Sequence, residues 1–70
     1  MTTLLDSSVG SGDAELLVDL GTGTGRILEL LAPRVRRAIG IDVNQAMLSY
    51  ARAKLEAQGL RHCQVRQGDL

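Results

Sequence analysis

The sequence predicts an α/β fold built on a parallel sheet, and three observations carry that expectation. Short apolar runs at residues 16–20 and 38–43 each hold an acid at their C-terminal end, Asp19 and Asp42. Each run is followed by a segment with helical periodicity. Between the first run and the first helix lies a turn with glycines at alternate positions, Gly21, Gly23 and Gly25. Strands that alternate with helices in this way are joined by crossovers, so they run parallel.

Length and composition bound what such a chain can do. Seventy residues make at most one small domain. A core of that size rarely supplies more than about 3–5 kcal/mol without a disulfide, a metal or a partner. The single cysteine, Cys63, excludes an internal disulfide, and Tyr50 is the one aromatic residue. Eight basic and eight acidic residues cancel, which leaves no general signal for nucleic acid or a membrane surface. The start, Met1-Thr2-Thr3-Leu4-Leu5-Asp6, has neither a basic region nor a long apolar one, and a cytoplasmic location is the expectation.

Residues 1–15 read as a flexible N-terminal segment. Ser8-Val9-Gly10-Ser11-Gly12-Asp13 has the composition of a linker, and Leu4-Leu5 reads as the tail of a helix lying mostly outside the chain or as a disordered end.

The first strand is expected over 16–20, where Leu16, Val18 and Leu20 alternate with Leu17, so that both faces are apolar. That pattern belongs to a strand covered on both sides. After the glycine turn, Ile27, Leu28, Leu30 and Leu31 predict a helix over 26–32, and Pro33 stops it. Arg34, Arg36 and Arg37 are expected to serve a solvated helix end.

The second strand is expected over 38–43. Asn44 is placed to cap a helix over 45–58, and Gly59 to end it. On that helix Leu48, Ala51 and Leu55 make an apolar stripe, with Met47 and Tyr50 at its border. Residues 63–67 alternate small or apolar with polar side chains, as an edge strand does, and Asp69 follows as a third acid. With no further ligands nearby, His62 and Cys63 read as a loop histidine and a packed cysteine rather than a metal or thiol site.

Right-handed crossovers stepping in one direction give a strand order of 3-2-1 and put both helices on one face of the sheet. The other face is then bare, although the first strand is apolar on both sides. The expectation is a partial, doubly wound sheet, the first half of a larger domain. In open sheets of this kind ligands bind at the C-terminal ends of the strands, where Asp19, Asp42 and Asp69 stand. A Rossmann dinucleotide site would also put glycines after the first strand and an acid after the second, and the interval from Gly21 to Asp42 suits its ribose contact. Two features count against NAD: position 26 is arginine rather than glycine, and Asp19 sets negative charge near where a pyrophosphate would lie.

Val18-Asp19-Leu20-Gly21-Thr22-Gly23-Thr24-Gly25 resembles motif I of class I S-adenosyl-L-methionine (SAM)-dependent methyltransferases. Gly40-Ile41-Asp42-Val43-Asn44, with Met47-Leu48 and Ala51-Arg52, is similar to that family's acidic-loop region, and Gln67-Gly68-Asp69-Leu70 to the loop after its third strand. The resemblance covers residues 16–70 and implies the N-terminal, SAM-binding half of a Rossmann-like fold with strand order 3-2-1-4-5-7-6. It implies that Asp19 and the backbone of Gly21, Thr22 and Gly23 face the methionine moiety, directly or through water. Asp42 would accept the ribose hydroxyls, Val43 and Met47 would flank the adenine, and Asp69 with the Leu70 backbone would bind its edge. No catalytic residue and no metal is expected from this half, because the cofactor carries the reactive group. Within the family the segment resembles bacterial stand-alone methyltransferases and methyltransferase domains joined behind an ArsR-type winged-helix repressor. The partners implied are a methyl acceptor of unspecified kind and the remaining half of the domain or a second chain. The alternative is a non-catalytic or truncated nucleotide-binding module of NAD type that needs a partner chain.

Overall fold

The structure, a computed structural model, describes residues 2–5 and 14–68. Its elements are β1 (Thr2–Leu5), β2 (Ala14–Leu20), α1 (Arg26–Leu31), a short 3-10 turn (Ala32–Arg34), β3 (Val35–Asp42), α2 (Gln45–Ala57) and β4 (Cys63–Gln67). They form a four-stranded sheet in the order β1-β2-β3-β4. β2, β3 and β4 run parallel, with Leu17 opposite Ala38 and Ala38 opposite Cys63. The α/β class and the adjacency of the three expected strands are as the sequence predicts.

The N-terminus differs from the expectation. Thr2–Leu5 is neither a helix tail nor a disordered end but a strand, paired antiparallel to β2 with Thr2 opposite Asp19 and Leu5 opposite Leu16. β2 also starts two residues before the expected boundary, at Ala14. An unpaired strand edge exposes a row of N–H and C=O groups, and β1 satisfies that row on β2. Among the described residues β2 is therefore an interior strand. The linker expected at residues 8–13 lies outside the described residues.

One face of the sheet carries both helices. Leu17 from β2, Ala38 from β3, and Cys63 and Val65 from β4 meet Leu28 of α1 and Leu48, Ala51 and Leu55 of α2 in one cluster. Leu17, Leu28 and Leu48 are its largest fully buried side chains, each worth about 1.5–3 kcal/mol against exposure. The predicted stripe of α2 is the one that is buried. On α1 only Leu28 is buried and Leu31 packs partly, while Ile27 and Leu30 face solvent. At about 100° per residue these four side chains spread over an arc of about 160°, wider than the face α1 turns to the sheet, and burial falls off from Leu28 toward Leu30. On the opposite face Leu16, Val18 and Leu20 of β2 and Ile39 and Ile41 of β3 are only half-buried.

The caps that frame the site follow sequence rules. Asn44 Oδ1 accepts from the Met47 N–H at 3.1 Å and starts α2. At the other end Gly59, with φ of 70°, lets the Leu60 N–H reach the Leu55 carbonyl at 3.0 Å and its own N–H reach Glu56 at 3.0 Å. This pair of bonds is a Schellman stop, with Leu60 folding back onto the core.

Candidate functional site

The glycine turn leaves β2 and crosses the end of β3. Gly21, Gly23 and Gly25 have φ of 78°, 55° and 79°, a left-handed region that side chains resist and glycine enters freely. Two consecutive amides, Gly21 and Thr22, donate to the Ile41 carbonyl at 2.7 and 3.0 Å. The turn is thereby fixed to β3, not merely to the strand it follows.

Thr22 is buried in that turn, and its hydroxyl donates to Asp19 Oδ2 at 3.0 Å. The Thr2 hydroxyl, from β1, donates to Asp19 Oδ1 at 2.9 Å. Asp19 is only 4% exposed, and each of its oxygens already holds a hydroxyl. It stands behind the turn and braces it. Gly40 makes this packing possible, because a Cβ there would lie 2.6 Å from Thr22 Oγ1 and 2.8 Å from Leu28 Cδ1.

Asp42 has a different setting. Its Oδ2 accepts the Gly23 N–H at 2.9 Å and its Oδ1 the Asn44 N–H at 3.0 Å. A carboxylate offers about four lone-pair sites, so two acceptor positions remain after these bonds. The Asn44 amide, then that of Gly23, with a smaller contribution from Val43, hold the Asp42 pKa below its ordinary value. Hydrogen bonds to the charged form do this, and Asp42 is ionised at neutral pH. It lies two residues beyond Gly40, the register partner of Asp19, or about 6.6 Å further along the strand direction. The two acids are thus staggered, one bracing the turn and one standing at its mouth.

Apolar surface flanks Asp42. Val43 is 52% exposed and Met47 42%, and a cavity of about 480 Å³ runs from Asn44 and Met47 to Thr24 and Arg26. A larger cavity, about 600 Å³, lies away from the turn, between the C-terminal half of α2 and β4. The end of β4 is tied to the same region, since the Gly68 N–H donates to the Asp42 carbonyl at 3.1 Å. Asp69 and Leu70, expected at the edge of the base, lie outside the described residues. Among the described residues no group of acids, histidines and cysteines could hold a metal ion. His62 Nε2 pairs with the Ala32 carbonyl at 2.9 Å. Cys63 packs in the core, where burial pushes its thiol pKa up.

The structure therefore brings together the turn, Asp42, Val43 and Met47, with Asp19 buried beneath the turn and bonded to it through Thr22. Sequence reading assigns no individual role to Thr2, Gly40 or the Gln45 and Gln67 side chains, although Gly40 and Gln67 lie in the stretches that carry the resemblance. Of these only Gly40 carried a signal, since a glycine inside a strand marks a close backbone approach.

A backbone open at Gly23, where a Cβ would meet no atom within 4 Å, an ionised acid held beside it and exposed apolar residues next to the acid stand together at the C-terminal ends of a parallel sheet, where open α/β folds bind their ligands. Comparison with known proteins gives the family: residues 17–70 match the one described as Methyltransferase domain, and the chain belongs to it. A protein-L-isoaspartate O-methyltransferase of Halorhodospira halophila is 38% identical over 69 residues, covering 99% of this chain and 30% of that protein. An uncharacterized RNA methyltransferase of Clostridium tetani is 29% identical over 62 residues, covering 89% of this chain and 14% of that one. The crystal structure of an S-adenosylmethionine-dependent methyltransferase from Clostridium acetobutylicum superposes with a TM-score of 0.70 at 34% identity, over 79% of this chain and 22% of that one. The chain thus spans less than a third of the length of the curated relatives it matches. The fold is the Rossmann-like fold of class I SAM-dependent methyltransferases.

Proposed function

We propose that this chain is the SAM-binding part of a methyltransferase, with the glycine turn and Asp42 as the centre of the site. The observation that carries the reading is Asp42: two backbone amides fix its oxygens and leave acceptor positions suited to the two hydroxyls of a ribose. The open backbone at Gly23 would admit the methionine end of SAM, while Val43 and Met47 offer apolar contact to the adenine. Asp69 and the Leu70 backbone are proposed for the edge of the base, on the resemblance.

Bound SAM supplies a methyl group already activated by its sulfonium, so the protein's part is to hold and orient it. Gly21 and Thr22 lock the turn onto β3. Asp19 keeps that turn in shape through Thr22. Asp42 sets the ribose. The two curated relatives are named for different acceptors, RNA and protein isoaspartate, and no acceptor follows for this chain. The half-buried face formed by Leu16, Val18, Leu20, Ile39 and Ile41 is proposed to be covered by the rest of the domain, a reading supported by the greater length of the relatives.

Calorimetric titration of SAM into the wild type and Asp42→Ala tests the assignment. Loss of a charged acceptor for two hydroxyls is expected to weaken binding by about 10- to 100-fold. Equal affinity in the two proteins would remove Asp42 from the site.

A further inference from the structure

Two consecutive carbonyls, of the last residue of β3 and the first of the loop after it, are held by two consecutive residues where β4 ends. The Asp42 carbonyl accepts the Gly68 N–H at 3.1 Å, and the Val43 carbonyl accepts Gln67 Nε2 at 3.2 Å. The other end of the same side chain is engaged as well, because Gln45 Nε2, on the first turn of α2, donates to Gln67 Oε1 at 2.8 Å. A backbone carbonyl can only accept, so the Gln67 amide nitrogen must face Val43 and its oxygen must face Gln45. The orientation of both amides is fixed by chemistry. Gln67 thus ties together three pieces of chain that are separate in sequence: the end of β4, the loop after β3 and the start of α2.

The loop so held is the one that matters for the site. It carries Asp42 and Asn44, whose mutual bond sets the carboxylate, and Val43, an exposed apolar residue with no core contact to fix it. A loop residue that offers an apolar face to a flat base needs its backbone held from elsewhere. Gln67 and Gly68 are the residues that do so.

We infer that Gln67 is a positioning residue for the base-binding side of the site: by donating to the Val43 carbonyl while Gln45 holds its oxygen, it sets Val43 against an adenine. The inference rests on the SAM reading given above. Gln67 acts through Val43 and need not touch the ligand. Its hydrogen bonds are exposed, where water competes, so the effect is moderate.

The probe is S-adenosylhomocysteine, titrated calorimetrically into the wild type and into Gln67→Met, Gln67→Glu, Gln45→Met, the Gln67→Met/Gln45→Met pair and Asp42→Ala, all in the full chain. Met keeps the length of the side chain and removes both bonds; Glu keeps its shape and the acceptor but cannot donate to Val43 at neutral pH. Each Gln67 variant is expected to bind about fivefold more weakly, the equivalent of one net hydrogen bond. Gln45→Met is expected to lose less. The double variant should bind no worse than Gln67→Met alone, because Gln45 acts only through Gln67. A general packing role would leave the isosteric Glu variant like the wild type, and that result overturns the inference. So does wild-type affinity in Gln67→Met when Asp42→Ala is weakened. A wild type that does not bind the probe overturns the SAM reading itself, a distinguishable failure.

Discussion

Replacing Gly40 by alanine probes the contact on which the glycine turn rests. The added Cβ would stand 2.6 Å from Thr22 Oγ1, and 2.8 Å from both Thr22 Cβ and Leu28 Cδ1. None of these atoms is the free end of a mobile side chain, since Thr22 is bonded to Asp19 at 3.0 Å and Leu28 is fully buried. Overpacking of this kind costs about 1–3 kcal/mol. Pushing the Thr22 hydroxyl away leaves Asp19 Oδ2 without its donor, for a further loss of about 1–3 kcal/mol. Removing a glycine from a strand returns about 0.5–1 kcal/mol. The net is a destabilisation of about 1–5 kcal/mol, read as a lower urea midpoint. With a slope of about 1 kcal/mol/M for a small protein, the midpoint should fall by at least about 1 M. A midpoint equal to or above the wild type would show that β3 and the turn are not in contact at Gly40, and the bracing role of Asp19 through Thr22 would fall with it.

Two further predictions concern the mouth of the site. Gly23→Ala meets no atom within 4 Å but must keep φ near 55°, so it should lose about 1–2 kcal/mol of stability, while its methyl group, standing in the open cradle, weakens S-adenosylhomocysteine binding by at least about tenfold; binding unchanged beside lowered stability would place the ligand elsewhere. The pKa of Asp42 is lowered from 3.8 in the folded protein, so the stabilisation it provides is complete above that value and is lost as the pH falls through the folded one. The urea midpoint of the wild type should therefore exceed that of Asp42→Asn near neutral pH, with the difference shrinking from about pH 5 downward, and a difference that grows on acidification would contradict the amide bonds to Asp42.

Much of this arrangement is legible in the chain because its signals are local. Asn44 and Gly59 bracket α2 by rules that need only neighbouring residues, and both act as caps in the structure. Glycines at alternate positions after a strand mark a turn that uses positive φ, and all three adopt it. Features that depend on distant residues are not legible in this way. β1 is four residues of ordinary composition, and it becomes a strand because the free edge of β2 lies beside it. The hydroxyl partner of Asp19 is hidden for the same reason: Thr2, seventeen positions away in sequence, occupies one of its oxygens. Ile27 and Leu30 look like core in the sequence pattern, but they lie on the edge of α1's apolar arc that turns away from the sheet. Gln45 and Gln67 are separated by twenty-two positions, and nothing in either neighbourhood announces the bond.

The glycine turn and Asp42 could serve any ligand with a ribose, and the choice between a sulfonium-bearing nucleoside and a dinucleotide is the central claim. Side-by-side calorimetric titration of SAM and NAD into the wild-type protein decides it. On that claim SAM binds, less tightly to Asp42→Ala, and NAD binds more weakly than SAM or not at all. Tighter binding of NAD would contradict it.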